Sequence, residues 1–259
     1  MRNILLLICL VFISQQALAQ NRPQLTPVQQ KIQQLLQSDI RTDAEKARDR
    51  NRNPVGTLGF FGIQENMHVL ELAPGGGWYT KILGPLLRDK GKLYIVDPPY
   101  YVDRTAPILK LPGLDKVVKL DWGKWDGQLE PNMRSFFPPP GKWDAHDLDM
   151  VLTFRNYHNF SQQARGILDK QVFQMLKPGG RYGVIDHTRR HMEPNNPENG
   201  RRVDPVEAIK EIQAAGFVFV DYSTVNYRPD DELRYEVGRH TVTGNSDRFT
   251  LLFMKPKED

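Results

Sequence analysis

Apolar residues recur along this chain in two spacings, which predict an alternation of short strands and amphipathic helices. The helical spacing is clearest where Ala164, Leu168, Val172 and Met175 fall on one face. Strand-like apolar runs cover residues 69–72, 92–96, 116–120, 147–154, 181–185, 217–225 and 248–254. Strands that alternate with helices form mostly parallel sheets covered on both faces, and the polar excursion between the last two runs indicates an antiparallel hairpin. The pattern predicts an α/β fold built on a seven-stranded sheet.

Residues 20–66 precede this alternation and carry helical signals of their own. Thr26 stands before a proline, which is typical of an N-cap and the first helical position. Thr42 and Glu45 form a capping-box pattern that opens a second, polar segment. We expect a helical N-terminal extension over residues 20–66, packed onto a main domain over residues 67–259.

The first residues have the three parts of a secretory signal. Arg2 supplies a positive charge, residues 4–13 are an apolar core, and the small-x-small sequence of residues 17–19 is typical of a cleavage site. The apolar core is too short to cross a bilayer as a stable helix, which takes about 20 residues. We predict a signal peptide over residues 1–19 and an exported protein, periplasmic or secreted. An uncleaved anchor is the alternative.

Composition restricts the kinds of partner. The chain has 259 residues, 39% of them apolar and 25% charged, which is typical of a globular protein. Its net charge is +4, and its basic residues are scattered among acidic ones, so they do not form a nucleic-acid-binding stripe. Cys9, the single cysteine, lies within the predicted signal, so we expect no disulfide and no thiolate metal site after cleavage. We expect a small-molecule substrate, no nucleic acid and no stable membrane insertion after signal cleavage; the sequence does not specify the oligomeric state.

Residues 69–80 read VLELAPGGGWYT and carry the strongest functional signal. A strand, a glycine turn and a helix bring backbone N–H groups close to a ligand, because glycine has no Cβ to hold the ligand away. The dinucleotide pattern G-x-G-x-x-G fails, since Thr80 stands at its last position. The spacing that fits is acidic-x-small-x-Gly-x-Gly, formed by Glu71, Ala73, Gly75 and Gly77. A tight turn without a ligand is the alternative.

This segment resembles the first motif of the class I S-adenosylmethionine (SAM) methyltransferases, with Ala73 where those enzymes usually have another glycine. The resemblance covers about residues 55–256. It implies a Rossmann-like methyltransferase fold with SAM as cofactor. It also implies that Glu71, Ala73, Gly75 and Gly77 hold the methionine end of SAM.

Later strands supply three more candidate cofactor residues. Asp97 ends the second strand, where a carboxylate accepts hydrogen bonds from ribose hydroxyls in α/β cofactor sites, and the resemblance implies the same role. An ordinary turn residue is the alternative for Asp97. The resemblance also implies that Asp121 lies near the adenine amino group and Trp122 near the adenine ring. Residues 121–142, rich in Trp, Pro and Gly, are an insertion that forms either a stiff surface loop or a wall of the substrate pocket.

Two polar segments end strands at the edge where a substrate would meet the cofactor. Residues 155–159 read RNYHN, and residues 186–191 read DHTRRH. A neutral imidazole can remove a proton from an attacking hydroxyl or amine, so His158 and His187 are candidate catalytic bases. Structural roles are the alternative for both histidines.

Other residues of these segments have supporting roles. Asn156 and Asp186 are candidate orienting groups, and Arg155 belongs to the segment expected to hold the acceptor. His187 and His191 have the spacing of two metal ligands on one helix face. Their segment has no helical pattern, so no metal site is expected.

The chain also resembles an exported branch of the methyltransferase superfamily. The shared segments are RDRNRNP at residues 48–54, FFGI at residues 60–63, APGGGWYT and RNYHN. Within the first segment, Arg48 and Arg52 are expected either to close over the cofactor or bind an anionic substrate, or to lie on a solvated helix face.

Two functions from different classes follow. The first is a SAM-dependent methyltransferase that acts on an unidentified small-molecule acceptor. The second is an exported, non-catalytic ligand-binding protein that retains the fold, because fold does not fix function. The predicted export favours the second function. SAM is charged and made in the cytoplasm, so an exported enzyme would need a supply of it.

Overall fold

The computed structural model describes residues 24–98, 102–123 and 143–257. The predicted signal peptide at residues 1–19 lies outside the described residues, as does most of the predicted insertion. Within the described ranges, no helix is both long and apolar enough to cross a membrane.

One sheet forms the centre of the molecule. Its strands are β1 (His68–Leu72), β2 (Lys92–Val96), β3 (Val118–Lys119), β4 (Leu148–Phe154), β5 (Leu176–His187), β6 (Val218–Tyr222) and β7 (Arg248–Met254). In the described residues the order is β3-β2-β1-β4-β5-β7-β6; β7 is antiparallel to both neighbours, and the other pairs are parallel. This confirms the predicted seven-stranded α/β fold and its antiparallel final pair.

Helices cover both faces of the sheet. They are α1 (Pro27–Leu35), α2 (Asp43–Ala47), α3 (Asp49–Arg52), α4 (Pro54–Phe61), α5 (Thr80–Leu87), α6 (Val102–Ile108), α7 (Gln162–Met175) and α8 (Pro205–Ala214). Side chains alternate between the faces of a strand, so β1 contributes to two cores. Leu70 packs in the core that contains residues of α7 and α8, and Val69 packs in the core that contains residues of α1, α4 and α5.

The helices before β1 begin at the residues whose side chains cap them. Thr26 is the predicted N-cap and also forms a capping box with Gln29, and Thr42 forms the predicted capping box with Glu45. α4 begins after Asn53, whose left-handed backbone (φ 38°) turns the chain and whose side chain accepts from the Gly56 amide. Ile32 of α1 is buried in the same core as α5. The N-terminal helices therefore share a core with the sheet.

The strand β5 is longer than the sequence predicts. Residues 177–180 read KPGG, a sequence typical of a turn, and they form a bulge inside β5. Leu176 pairs with Leu148, Gly179 has a left-handed backbone (φ 77°), and the Gly179 amide donates to the carbonyl oxygen of Lys255 at 2.9 Å. The turn preference therefore persists within a strand that begins at Leu176. The strands β1, β2, β4 and β5 are parallel, so their carboxyl ends meet at one edge of the sheet.

Candidate functional site

The glycine-rich turn after β1 is held by backbone contacts to the next strand. The Ala73 amide donates to the Val96 carbonyl oxygen at 2.8 Å, which joins the ends of β1 and β2. Ala73, Gly75 and Gly77 all have positive φ, at 49°, 58° and 67°. Glycine adopts this conformation without strain, whereas alanine does so at a cost. The small residue at position 73 is consistent with the tight turn that its motif predicts.

The three consecutive glycines differ in what surrounds them. A Cβ added to Gly75 or Gly76 would meet no atom of the described residues within 4 Å. A Cβ on Gly77 would lie 2.8 Å from the Ile108 side chain. Gly77 therefore has a packing role in the structure, and the backbone of Gly75 and Gly76 is open to a ligand.

Two buried carboxyl groups flank this open backbone. Glu71 of β1 is 2% exposed and accepts a hydrogen bond from the Thr80 hydroxyl at 2.7 Å. Asp97, which follows β2, is also 2% exposed and accepts from the Gly75 amide at 3.3 Å and from the Thr105 hydroxyl. Burial raises the pKa of Glu71 to about 8 and that of Asp97 to about 6. A cationic or hydrogen-bond-donating ligand beside either group would favour its ionised form.

A cavity of about 320 Å³ lies over the turn, and we call it the glycine-loop cavity. It is lined by Ala44, Glu45, Arg48, Arg52, Glu71, Ala73, Pro74, Gly75, Gly76, Trp78, Tyr79, Phe154, Arg155 and Asn156. The structure thus brings together predicted residues from β1, from the glycine turn and from the end of β4. It also shows that the N-terminal helices form one wall, which rules out a solvated helix face for Arg52.

The segment after β4 is anchored at two points. The Asn156 side-chain amide donates to the carbonyl oxygens of Ala73 at 2.8 Å and of Phe154 at 3.0 Å. The Arg155 amide donates to the Ile185 carbonyl oxygen at 2.7 Å. Asn156 therefore positions the end of β4 against the glycine turn, and Arg155 positions it against β5. Their predicted roles toward an acceptor stay predictions.

His158 is held by a carboxylate. Its Nδ1 lies 2.6 Å from Asp186 Oδ1, and its amide donates to Asp186 Oδ2 at 2.7 Å. Asp186 has no exposed side-chain surface and also accepts from the His187 amide at 2.6 Å. A buried carboxylate favours the tautomer with the proton on Nδ1, which leaves the other ring nitrogen as an acceptor. The structure therefore places Asp186 as the orienting group of His158.

A larger cavity lies on the side of His158, and we call it the second cavity. Its volume is about 1010 Å³. It is lined by residues 158–163, Arg165, Arg189, residues 195–197, residues 200–203, Glu207 and Glu236. The loop after β4 therefore contributes to both cavities, with Arg155 and Asn156 in one and His158 in the other.

His187 is more deeply placed than His158. The two ring centroids lie 5.6 Å apart, and His187 Nδ1 is 2.8 Å from the Ser246 hydroxyl oxygen. Burial, together with the positive charge of His158 when protonated, holds the pKa of His187 well below its usual range. His187 is therefore neutral at physiological pH, and its predicted catalytic role stays a prediction.

The predicted adenine-side residues do not line the glycine-loop cavity. Asp121 is exposed, and its side chain accepts a hydrogen bond from the Gly123 amide at 3.0 Å. Trp122 is buried, with its ring centroid 5.3 Å from that of Trp143 and 6.3 Å from that of Phe160. The structure gives Trp122 a core-packing role, and contact with adenine stays a prediction for both residues.

The histidine pair considered for metal binding separates in the structure. His187 ends β5, whereas His191 Nδ1 lies 2.8 Å from Asp204 Oδ2. Across the part of the chain that the structure describes, no three His, Cys, Asp or Glu residues are placed to hold a metal ion.

Trp78 and Tyr79 directly follow the glycines and line the cavity, although the sequence did not indicate them as site residues. The rings of Tyr79 and Phe154 stack with centroids 3.6 Å apart, and the Trp78 indole donates to the Glu45 carbonyl oxygen at 3.0 Å. Trp78 thereby joins the N-terminal wall to the start of α5. Glu45 completes this link by pairing with Lys81 at 2.8 Å.

Known structures share this architecture at low sequence identity. A SAM-dependent methyltransferase from Aquifex aeolicus has a TM-score of 0.54 and 18% identity, over 88% of this chain and 98% of that one. Human N-acetylserotonin methyltransferase in complex with SAM has a TM-score of 0.52 and 15% identity, over 89% of this chain and 57% of that one. The [4+2]-cyclase SpnF has a TM-score of 0.53 and 16% identity, over 86% of each chain.

The chain has the Rossmann-like methyltransferase fold. No protein-family model and no curated protein sequence matches it. At these identities the structural likeness establishes the fold, and the activity has to be argued from the site.

Proposed function

We propose that this protein is a SAM-dependent methyltransferase that acts on a small-molecule acceptor. The observation that carries the proposal is the open backbone of Gly75 and Gly76 between the buried carboxyl groups of Glu71 and Asp97. Open α/β sheets bind ligands beyond the carboxyl ends of their strands, where these residues lie. Fold alone does not carry the proposal, because one structural neighbour is described as a [4+2]-cyclase.

The chain offers a separate group to each part of the cofactor. In this proposal Glu71 accepts hydrogen bonds from the ammonium group of SAM, and Asp97 accepts them from the ribose hydroxyls. Gly75 and Gly76 give the methionine end room against the backbone. The positive charge of the ligand favours the ionised form of Glu71, whose pKa burial has raised. When bound, SAM supplies a methyl group on a positively charged sulfur.

His158 is the proposed general base. Asp186 fixes the ring and keeps a proton on Nδ1, so the other ring nitrogen takes the proton that an attacking hydroxyl or amine loses. His158 lines the second cavity, so the reacting hydroxyl or amine of the acceptor is placed on that side. The remainder of catalysis is alignment of the acceptor by the loop after β4.

We also propose that the protein belongs to an exported branch of the superfamily and acts outside the cytoplasm. The support is the charged, apolar and small-x-small order of residues 1–19. Mass spectrometry of cell-derived protein is expected to find Gln20 as its first residue. An intact N-terminus would refute cleavage at this site.

Calorimetric titration of the full-length chain with SAM tests the proposal. We expect binding in the micromolar range. The Asp97→Asn variant is expected to weaken binding by about tenfold or more, since hydrogen bonds to charged groups are worth about 1.5–3 kcal/mol. Asp89→Asn, an exposed change of the same kind, serves as the control.

Each outcome of this titration has a definite meaning. Absence of any binding heat would contradict the proposal and favour the exported ligand-binding protein. Equal SAM affinity in the wild type and in Asp97→Asn would show that SAM binds elsewhere.

A further inference from the structure

Three arginines from different elements converge on the glycine-loop cavity, and we call them the arginine cluster. Arg48 joins α2 to α3, Arg52 ends α3, Arg155 follows β4, and all three line the cavity. Arg52 is 7% exposed, and its guanidinium carbon lies 4.4 Å from the Trp78 ring centroid. Burial first, and then the charges of Arg155 and Arg48, lower the pKa of Arg52 to about 8. The three charges are therefore close enough to repel one another.

The arginine cluster has no carboxylate partner among the described residues. Within those ranges the three side chains form neither a hydrogen bond nor an ion pair, and the guanidinium of Arg52 lies over the face of Trp78. The Nε atoms of Arg52 and Arg155 are buried without a hydrogen-bond partner there. A buried charge is unfavourable unless a partner neutralises it, so the cluster requires an anion from outside the chain.

Nearby acids are already engaged. Both carboxylate oxygens of Glu45 accept from Lys81, at 2.8 Å and 2.9 Å. Glu71 accepts from the Thr80 hydroxyl, and its raised pKa keeps it largely protonated near neutral pH. Asp186 is occupied by the imidazole of His158. None of these three acids forms an ion pair with the cluster, although the charge of Asp186 acts to raise the pKa of Arg155.

We propose that the arginine cluster binds an anionic group of the methyl acceptor, either a carboxylate or a phosphate. This inference rests on the proposed function, because it takes the bound anion to be part of the acceptor. SAM carries one carboxylate, one ammonium and one sulfonium, so its carboxylate offsets one guanidinium while its sulfonium adds another positive charge. An anionic acceptor supplies the missing charge, and the forked N–H groups of arginine match carboxylates and phosphates.

Inorganic phosphate is the probe for this site. The full-length chain is first saturated with SAM and then titrated with phosphate at constant ionic strength in a calorimeter. We expect phosphate to bind, and we expect Arg52→Gln and Arg155→Gln each to weaken it by about tenfold or more. Arg50→Gln is the matched control, because Arg50 lies on the same helix as Arg52 and its side chain is exposed. The control is expected to leave phosphate affinity unchanged.

Competition between phosphate and SAM would overturn the inference, because the cluster would then hold the carboxylate of SAM itself. A SAM-saturated protein that binds no phosphate would overturn it as well. Failure of SAM to bind, together with phosphate binding that depends on Arg52, has a different meaning. In that case the anion site stands and the methyltransferase proposal fails.

A second variant protects the test against misfolding. Arg52→Lys keeps the charge and loses the planar fork, so we expect weaker phosphate binding in a folded protein. Denaturant unfolding of each variant shows which proteins are comparable. Full phosphate affinity in both Arg52→Lys and Arg155→Gln would overturn the inference even where Arg52→Gln does not fold.

Discussion

The two cavities at the carboxyl edge of the sheet are both lined by arginines, yet they balance those charges differently. Around the second cavity, ion pairs with carboxylates of the chain are formed by Arg165, Arg189, Arg201 and Arg202. Around the glycine-loop cavity, the arginine cluster has no such pair within the described ranges.

The difference separates arginines that stabilise the fold through ion pairs from arginines that are available to bind a ligand. Arg202 and Asp231 pair at 2.9 Å with side chains 0% and 2% exposed, so their charges are neutralised inside the protein. Arg52 is buried to a similar degree, and its guanidinium lies over an aromatic ring without an ion pair among the described residues. The total number of arginines around a cavity is therefore a poor indicator of an anion-binding site. The number of arginines without a carboxylate partner is a better one.

The largest effect is expected from breaking the ion pair between Arg202, which lines the second cavity, and Asp231. Arg202→Gln leaves Asp231 buried without its countercharge, so we expect a loss of about 3–5 kcal/mol in the free energy of unfolding. Urea denaturation measures it. Arg201→Gln, which removes the more exposed pair with Glu236, is the control with an expected loss of about 0–1 kcal/mol. Equal losses in the two variants would show that burial does not separate these pairs.

Filling the space above the glycine turn is expected to have the next largest effect. Gly76→Val directs a side chain into the glycine-loop cavity, where the described residues leave a Cβ free of contacts. We expect SAM affinity to fall by about 100-fold, or about 2.7 kcal/mol, without loss of folding. Gly166→Val on α7 also meets open space, and it should leave affinity intact. Undiminished binding in Gly76→Val would contradict the assigned cofactor position.

A further effect, smaller per pH unit, concerns Glu71, a buried acid of the glycine-loop cavity. Burial raises the pKa of Glu71 to about 8, so the native state keeps a proton that the unfolded state releases near the ordinary glutamate pKa of 4.5. The unliganded protein should therefore lose stability as pH rises, by about 1.4 kcal/mol per unit between pH 5 and pH 7 relative to Glu71→Gln. Denaturant unfolding at several pH values measures this difference. Parallel stability curves would show that Glu71 is ionised in the free protein.

The smallest expected effect concerns Arg52 in the free protein. Arg52→Gln removes an unpaired buried charge, so we expect the free energy of unfolding to rise by about 0.5–1 kcal/mol. Thermal unfolding without ligand measures it, with Arg50→Gln as the control. A loss comparable with that of Arg202→Gln would contradict the comparison and make Arg52 a structural residue.

Much of the fold follows from local sequence patterns. The strands β2 and β7 have the predicted bounds, because each is a mostly apolar run that the sheet largely buries. The strand β5 begins earlier than predicted, since its first residues gain sheet partners that a local turn signal does not reveal. The polar run before α4 similarly gave no sign that Arg52 is buried.

The site was predictable only in part, because spacing shows which residues share a turn and not which charges pair. The glycine spacing correctly indicated a tight turn after β1. Arg202 pairs with Asp231 at a sequence separation of 29 residues, and Lys81 pairs with Glu45 at a separation of 36. Pairs so distant in sequence are fixed by tertiary packing. The unpaired state of Arg52 and the second cavity thus required the structure.

The most direct test is a crystal structure of the full-length chain grown with SAM and inorganic phosphate. We expect the methionine end of SAM to lie against Gly75 and Gly76, its ribose at Asp97, and a phosphate between Arg52 and Arg155. SAM bound outside the glycine-loop cavity would contradict the proposed function. A single SAM carboxylate shared by the whole arginine cluster, with phosphate excluded, would contradict the anionic acceptor.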